Sequence, residues 1–399
     1  MKRGSRECEG FLIRENPCPS AAKLSFGTYS EAGTRPVASS PGRGANSLRM
    51  KYDVAIVGAG PAGSSCAAVC AEAGLRVAIV ERVAFPREKV CGDCVNPACW
   101  PVLDRLGVTD RVLELPHARL ASLEFIGTDA APRQFPLPSD ARGEIAVKRS
   151  AFDDLLLTRA RELGATLHAG EAVTALEKPG NGEGWRLRVG DGTIEAETLV
   201  AADGRNSTVA RLLGLLPPAR KDRLGLQTHL PRDGWAGRVA MRLLPFGYCG
   251  VADVGAGEIN LCLVAPPRDL ARLKAWAEAE FAVPADHAWR TIAPLERAPL
   301  APVHGRLLLV GDAARVVEPF TGEGIYYALA SGLRAGEAIV AGNLADYAAR
   351  HGELYRGRLW VNDLARAAVL HPRLTTAAMR LCPSILGRLT AKVVGASAH

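Results

Sequence analysis

The stretch Asp53-Val54-Ala55-Ile56-Val57-Gly58-Ala59-Gly60-Pro61-Ala62-Gly63 decides how this chain folds. Apolar, β-favouring residues up to Val57 run into three glycines spaced Gly-x-Gly-x-x-Gly, and an alanine-rich helical segment follows from Pro61 to Ala73. Gly74 closes that segment, and a second strand, Arg76 to Glu81, ends on an acid. Together these make a βαβ half-unit. The first glycine permits a tight turn, the second lets the backbone approach a pyrophosphate, and the third lets the helix pack close, while N–H groups at the helix start face the phosphates. Glu81, about 20 residues on, is placed to accept ribose hydroxyls. A plain Gly-rich turn and a solvated strand-end acid are the alternatives, and the register of strand, helix and acid favours a dinucleotide site.

Outward from this unit the chain alternates. A helix is expected over Ala151 to Leu163, a strand at Thr166 to His168, and a hairpin from Trp185–Val189 to Thr193–Val200 around Gly190-Asp191-Gly192. Alternating stretches at Arg238–Leu243 and Ile259–Val264 predict a second, antiparallel sheet. The strand Leu307–Val310 returns to Rossmann character, Tyr326–Val340 is helical, and the tail from Leu344 is helical with prolines at 372 and 383. Residues 1–49 are rich in Ser, Gly, Pro, Arg and Glu without periodicity and read as a disordered extension. An over-extended start ahead of Met50 would explain them, and a transit peptide, opposed by four Glu, is the other reading.

Composition bounds the answer. At 399 residues, 48% apolar and 23% charged, the chain can build two domains around a substantial core. Its net charge of +7 suits an anionic cofactor or surface, but scattered basic residues and only 6% aromatics argue against nucleic acid. The ten cysteines are not laid out as a secreted scaffold and fit a reducing, cytoplasmic location. No apolar run reaches the roughly 18 to 20 residues that span a bilayer, and the N-terminus lacks a signal-peptide hydrophobic region.

The fingerprint alone does not separate FAD from NAD. Two later motifs do: Ala201-Ala202-Asp203-Gly204 after one strand, and Val310-Gly311-Asp312-Ala313-Ala314 after another, leading into Glu318-Pro319-Phe320-Thr321-Gly322-Glu323-Gly324-Ile325. Asp312 is placed to accept from a ribityl hydroxyl. The turn beyond it starts a helix whose N–H groups can stabilise charge at N1 and O2 of a reduced flavin.

At these residues the chain resembles the group-A flavoprotein monooxygenase superfamily, of para-hydroxybenzoate hydroxylase-type fold, and within it the geranylgeranyl reductase family. The resemblance rests on the fingerprint with Glu81, on Asp203-Gly204, on Gly311-Asp312-Ala313-Ala314 with Pro319–Ala328, and on Phe85–Asp93. It implies an α/β chain in which a Rossmann-type FAD-binding domain (50–104, 145–215, 298–342) interleaves with an antiparallel substrate domain (105–144, 216–297) ahead of a helical tail (343–399). It implies FAD held by Gly58, Gly60, Pro61, Ala62, Gly63, Glu81, Arg82, Arg149, Asp203, Gly204, Gly311, Asp312, Pro319, Gly322, Glu323, Gly324 and Ile325. The implied reaction is hydride transfer from reduced flavin to a carbon–carbon double bond of an isoprenoid or other apolar molecule. With no second Gly-x-Gly-x-x-Gly, NAD(P)H visits transiently or a ferredoxin-like protein supplies electrons. The family's Pro-x-x-Tyr-x-Trp-x-Phe-Pro pattern is reduced here to Pro245-Phe246-Gly247-Tyr248-Cys249-Gly250, which counts against a long polyprenyl substrate. The absent Trp-x-Trp-x-Ile-Pro signature counts against a halogenase. A monooxygenase acting on a small apolar substrate and a non-catalytic flavin-binding protein stay open as rivals.

Cys91-Gly92-Asp93-Cys94 has the spacing of a zinc half-site or a redox pair, but no second ligand pair exists. The resemblance places Cys91 beside the isoalloxazine ring as the candidate catalytic residue, tuning the flavin or helping to protonate substrate. A small buried hydrophobe is the other reading. Cys66 and Cys70 read as core. His117, His229, His287 and His304 lack ligand spacing and read as surface or satisfied histidines, and Trp276, Trp289 and Trp360 read as packing. The arginines of the tail, Arg350, Arg356, Arg358, Arg366, Arg373, Arg380 and Arg388, mark a solvated helix face, or else a peripheral contact with an anionic membrane.

Overall fold

The apolar run that opens the fingerprint becomes the strand Arg49–Val57 inside a mainly parallel sheet. The computed structural model describes residues 49–137, 142–178, 184–220, 222–319 and 322–381. The expected disorder of the N-terminal extension, and Phe320 and Thr321 of the expected turn, lie outside them. Leu307–Leu309, Gly192–Ala201, Arg49–Val57, Val77–Glu81 and Thr166–Ala169 lie side by side, each pair parallel. From Val54 to Val57 the central strand is wholly apolar because both of its faces are covered there. Val54 and Ile56 pack with helices on one side, and Ala55 and Val57 with the Trp185–Val189 hairpin on the other.

Helix α1 (Pro61–Glu72) follows the glycine turn, α2 (Arg149–Glu162) precedes the strand at Thr166, and α3 is Gly324–Val340. Both α1 and α3 present small residues to each other. A Cβ on Gly332 would stand 2.1 Å from the Ala62 carbonyl oxygen, and one on Gly336 would stand 2.8 Å from Val69 Cβ. Cys66 and Cys70 are fully buried along α1, as expected for core residues.

The second sheet has seven strands in the order Arg290–Ile292, Leu224–Pro231, Glu258–Ala265, Gly247–Gly255, Arg238–Leu244, Ser122–Ile126, Pro132–Pro136. It is antiparallel except that Ser122–Ile126 and Arg238–Leu244 run parallel, since 111 residues of chain separate them and no hairpin joins them. The tail forms α4 (Asp346–Tyr355), α5 (Leu359–Leu370) and α6 (Pro372–Leu381). Pro372 starts α6, where its missing N–H costs nothing. Several tail arginines are ties rather than a free charged face: Arg358 pairs with Glu323, Arg366 with Asp222 and Glu296, and Arg380 with Asp129. Among the described residues no helix is long and apolar enough to cross a membrane.

Candidate active site

Backbone proximity explains the fingerprint. Gly58 has φ +104°, and a Cβ there would meet the Ala202 carbonyl oxygen at 2.5 Å, while a Cβ on Gly63 would stand 1.9 Å from the Gly58 oxygen. The turn is thus pressed against the end of the neighbouring strand, where Asp203-Gly204 follows. The Asp203 carboxylate accepts from the N–H groups of Thr208 (2.6 Å) and Val209 (3.1 Å), which fixes the turn that carries Gly204. Glu81 accepts from the Ala59 N–H at 2.9 Å and the Val83 N–H at 3.2 Å, so it clamps the glycine turn to the loop that leaves the second strand. Gly311 (φ +56°) donates its N–H to Ser331 at 2.8 Å, and Asp312 pairs with Arg205 at 2.7 Å.

These turns open onto one cavity of about 1220 Å³. Every expected site residue lines it except Gly63 and Glu323. Gly63 lies beneath the turn, and the buried Glu323 carboxylate pairs with Arg358 at 2.8 Å. Arg149 is buried and forked onto Asp153 at 2.7 and 2.8 Å, and Arg87 reaches the same carboxylate at 3.1 Å. Cys91 lies within hydrogen-bonding reach of Arg149; burial pushes its thiol up, and the guanidinium pulls the other way. Lys89, not singled out in the sequence, also faces the cavity. Burial, then the neighbouring Arg149, Arg205 and Arg87, push its ammonium down to about 8. Each of those arginines has a carboxylate partner; Lys89 has none among the described residues.

This end of the cavity fits FAD. The N-terminus of α1 has no side-chain cap, so its first-turn N–H groups are open to a pyrophosphate. Glycine stands where backbone must come close, and Lys89 is a cation that forms no ion pair among the described residues, with Asp312 the carboxylate that favours its charge. Residues 51–225 match the FAD binding domain family. The chain is 31% identical over 342 residues to the menaquinone reductase of Mycolicibacterium smegmatis, covering 75% of this chain and 79% of the relative. It is 32% identical over 325 residues to digeranylgeranylglycerophospholipid reductase 1 of Methanopyrus kandleri, covering 73% of this chain and 81% of the relative. The chain belongs to the geranylgeranyl reductase family. It is an FAD-dependent oxidoreductase. The flavin-dependent brominase Bmp2 shares the family's fold at a TM-score of 0.71 and 22% identity, over 86% of this chain and 93% of the brominase.

Sequence reasoning missed how this family member holds its cysteine loop. Asp93, fully buried at φ +61°, accepts from His229 and from Asn260, each at 2.7 Å. Asn260 also donates to the Cys91 carbonyl at 2.7 Å, and the Cys262 thiol donates to that oxygen at 3.2 Å. Two strands of the second sheet therefore grip the loop that presents Cys91. His229 is a satisfied histidine, as its lack of ligand spacing predicts. The partners stand 136 and 167 residues apart, so no local pattern reports them. Arg223 and Glu318 form a second long-range link, buried and forked at 3.0 and 2.8 Å. Among the described residues no group of His, Cys, Asp and Glu could hold a metal ion.

Proposed function

We propose that the chain reduces a carbon–carbon double bond in an isoprenoid or similarly apolar molecule, with NAD(P)H or a ferredoxin-like protein as electron donor. The shape of the cavity supports this reading. Beyond the flavin end it continues between the second sheet and the tail helices, along Phe125, Met241, Leu263, Val361, Leu364 and Met379. At about 1220 Å³ it exceeds the roughly 300 to 1,000 Å³ of an ordinary small-molecule site, so it has room for a cofactor and an apolar partner together. The two reductases it resembles are named for menaquinone and a digeranylgeranyl lipid, which supports a prenylated substrate despite the shortened Pro245–Gly250 motif.

Bound, reduced FAD supplies the hydride. In this reading Gly58, Gly60 and the α1 N-terminus hold its pyrophosphate, Glu81 turns to its ribose, and Asp312 faces its ribityl chain. Gly322, Gly324 and Ile325 at the start of α3 approach the ring, and the apolar lobe excludes water. Cys91 and Tyr248 both line the cavity, and each carries a proton that burial makes hard to lose as an anion. Either can hold that proton for the carbon opposite the hydride. Anaerobic turnover with a reductant is the test. A product that gains two hydrogens without oxygen is expected. Strict dependence on oxygen, with an oxygen atom in the product, would make the chain a monooxygenase instead, and a bound flavin that no donor bleaches would make it non-catalytic.

A further inference from the structure

A second cavity, of about 560 Å³, shares a wall with the first. In the segment 311–319, Asp312, Val317 and Pro319 face the flavin cavity and Arg315 faces the smaller one. Its chemistry is one-sided: Arg315, His351, Tyr355, Arg356 and Trp360 line it, and no Asp or Glu does. Neither the Arg315 nor the Arg356 guanidinium makes an ion pair among the described residues. Arg315 instead lies over the Tyr355 ring at 5.0 Å. His351 and Tyr355 are only 5% and 3% exposed, yet His351 Nε2 and the Tyr355 hydroxyl have no hydrogen-bond partner among the described residues.

Buried polar atoms without partners are costly, and here they stand beside two guanidinium groups, the half-buried Arg315 and the exposed Arg356. The arrangement makes sense if a ligand completes it. Two forks, a hydroxyl and an imidazole ask for an acceptor-rich anion, and guanidinium pairs suit phosphate oxygens best. The exposed Trp360 ring adds a flat apolar surface at the rim. We infer that this cavity is a second ligand site, separate from the flavin cavity, for a small molecule carrying a phosphoryl group. A nucleotide and a prenyl diphosphate both bring that group.

Calorimetric titration of the FAD-loaded full chain with inorganic pyrophosphate and with 2′,5′-ADP tests the assignment. Saturable binding is expected with the flavin spectrum unchanged. The double variant Arg315→Gln, Arg356→Gln should weaken it by at least about tenfold, with the melting temperature lowered by no more than about 2 °C, because no ion pair among the described residues is lost and only the Arg315 contact with the Tyr355 ring goes. Tyr355→Phe, which removes one hydroxyl only, should weaken it by about threefold. Tighter binding of 2′,5′-ADP than of pyrophosphate would identify a nucleotide as the ligand, and equal or weaker binding a phosphoryl group of another source. Absence of saturable binding by both probes, binding that releases flavin, or affinity unchanged in the double variant would overturn the inference.

Discussion

The two ends of the large cavity are built differently. At the flavin end much of the wall is backbone: a Cβ on Gly58, or on Gly63 beneath it, would collide, and turns and a helix start face the cavity beside the side chains of Glu81, Lys89, Arg149 and Asp312. At the far end the walls are side chains from the second sheet and α5–α6. A backbone wall needs particular residue types at fixed spacing. A wall of apolar side chains can be met by many sequences, provided volume and polarity suit. The first end therefore carries a signature, and the second carries a preference.

The comparison breaks most easily at the glycines. Gly332→Val would drive a side chain into the Ala62 carbonyl 2.1 Å away, separating α1 from α3. A loss of about 3 kcal/mol or more and colourless protein are expected, read from urea unfolding and the flavin spectrum. Asp153→Ala comes next, because it strips the buried Arg149 and the nearby Arg87 of their shared carboxylate. About 3 kcal/mol should be lost, with FAD retained only weakly. A stable, fully yellow variant would show that the pair is dispensable.

Lys89→Gln sharpens the contrast at a place where the flavin end presents a side-chain charge. FAD affinity should fall about tenfold near neutral pH. In the parent chain the ammonium is charged below pH about 8 and favours an anionic cofactor, so affinity should decline as pH rises through that value. The variant should lack this decline, and flavin fluorescence titrations across pH read both effects. At the far end, Ala368→Trp fills space in the apolar lobe, where Ala368 lines the cavity. Flavin spectrum and affinity should hold while KM for the apolar substrate rises about tenfold, the scale of a lost methylene-sized pocket or two. Unaltered KM would place the substrate elsewhere.

The same contrast explains what could be read in advance. The βαβ unit, the hairpin over Trp185–Val200 and helix α3 announce themselves through period and punctuation, because each is local. The motif glycines are legible for the same reason. Asp93 with His229 and Asn260, or Arg223 with Glu318, are single polar residues in unremarkable surroundings, joined only when two sheets meet. Lys89 is one cation in a loop already rich in charge, and what distinguishes it from Arg87, which pairs with Asp153, is a long-range difference in partners. The tail divides: arginines spaced along helices suggest a solvent face, and Arg356, Arg373 and Arg380 are exposed, while Arg358 and Arg366 bind inward to Glu323 and Asp222.

The seam of small residues between α1 and α3 behaves like the fixed jaw of a caliper. Its two helices begin at two separate turns of the large cavity, Gly58–Gly60 and Gly322–Gly324, and Gly332 and Gly336 leave no slack between them. The span offered to the dinucleotide is thereby set before any ligand arrives. Whatever must swing aside for cofactor or substrate to enter is left to the opposite side, where α5 is fastened by polar ties such as Asn362 to the Glu318 N–H, contacts that water can replace.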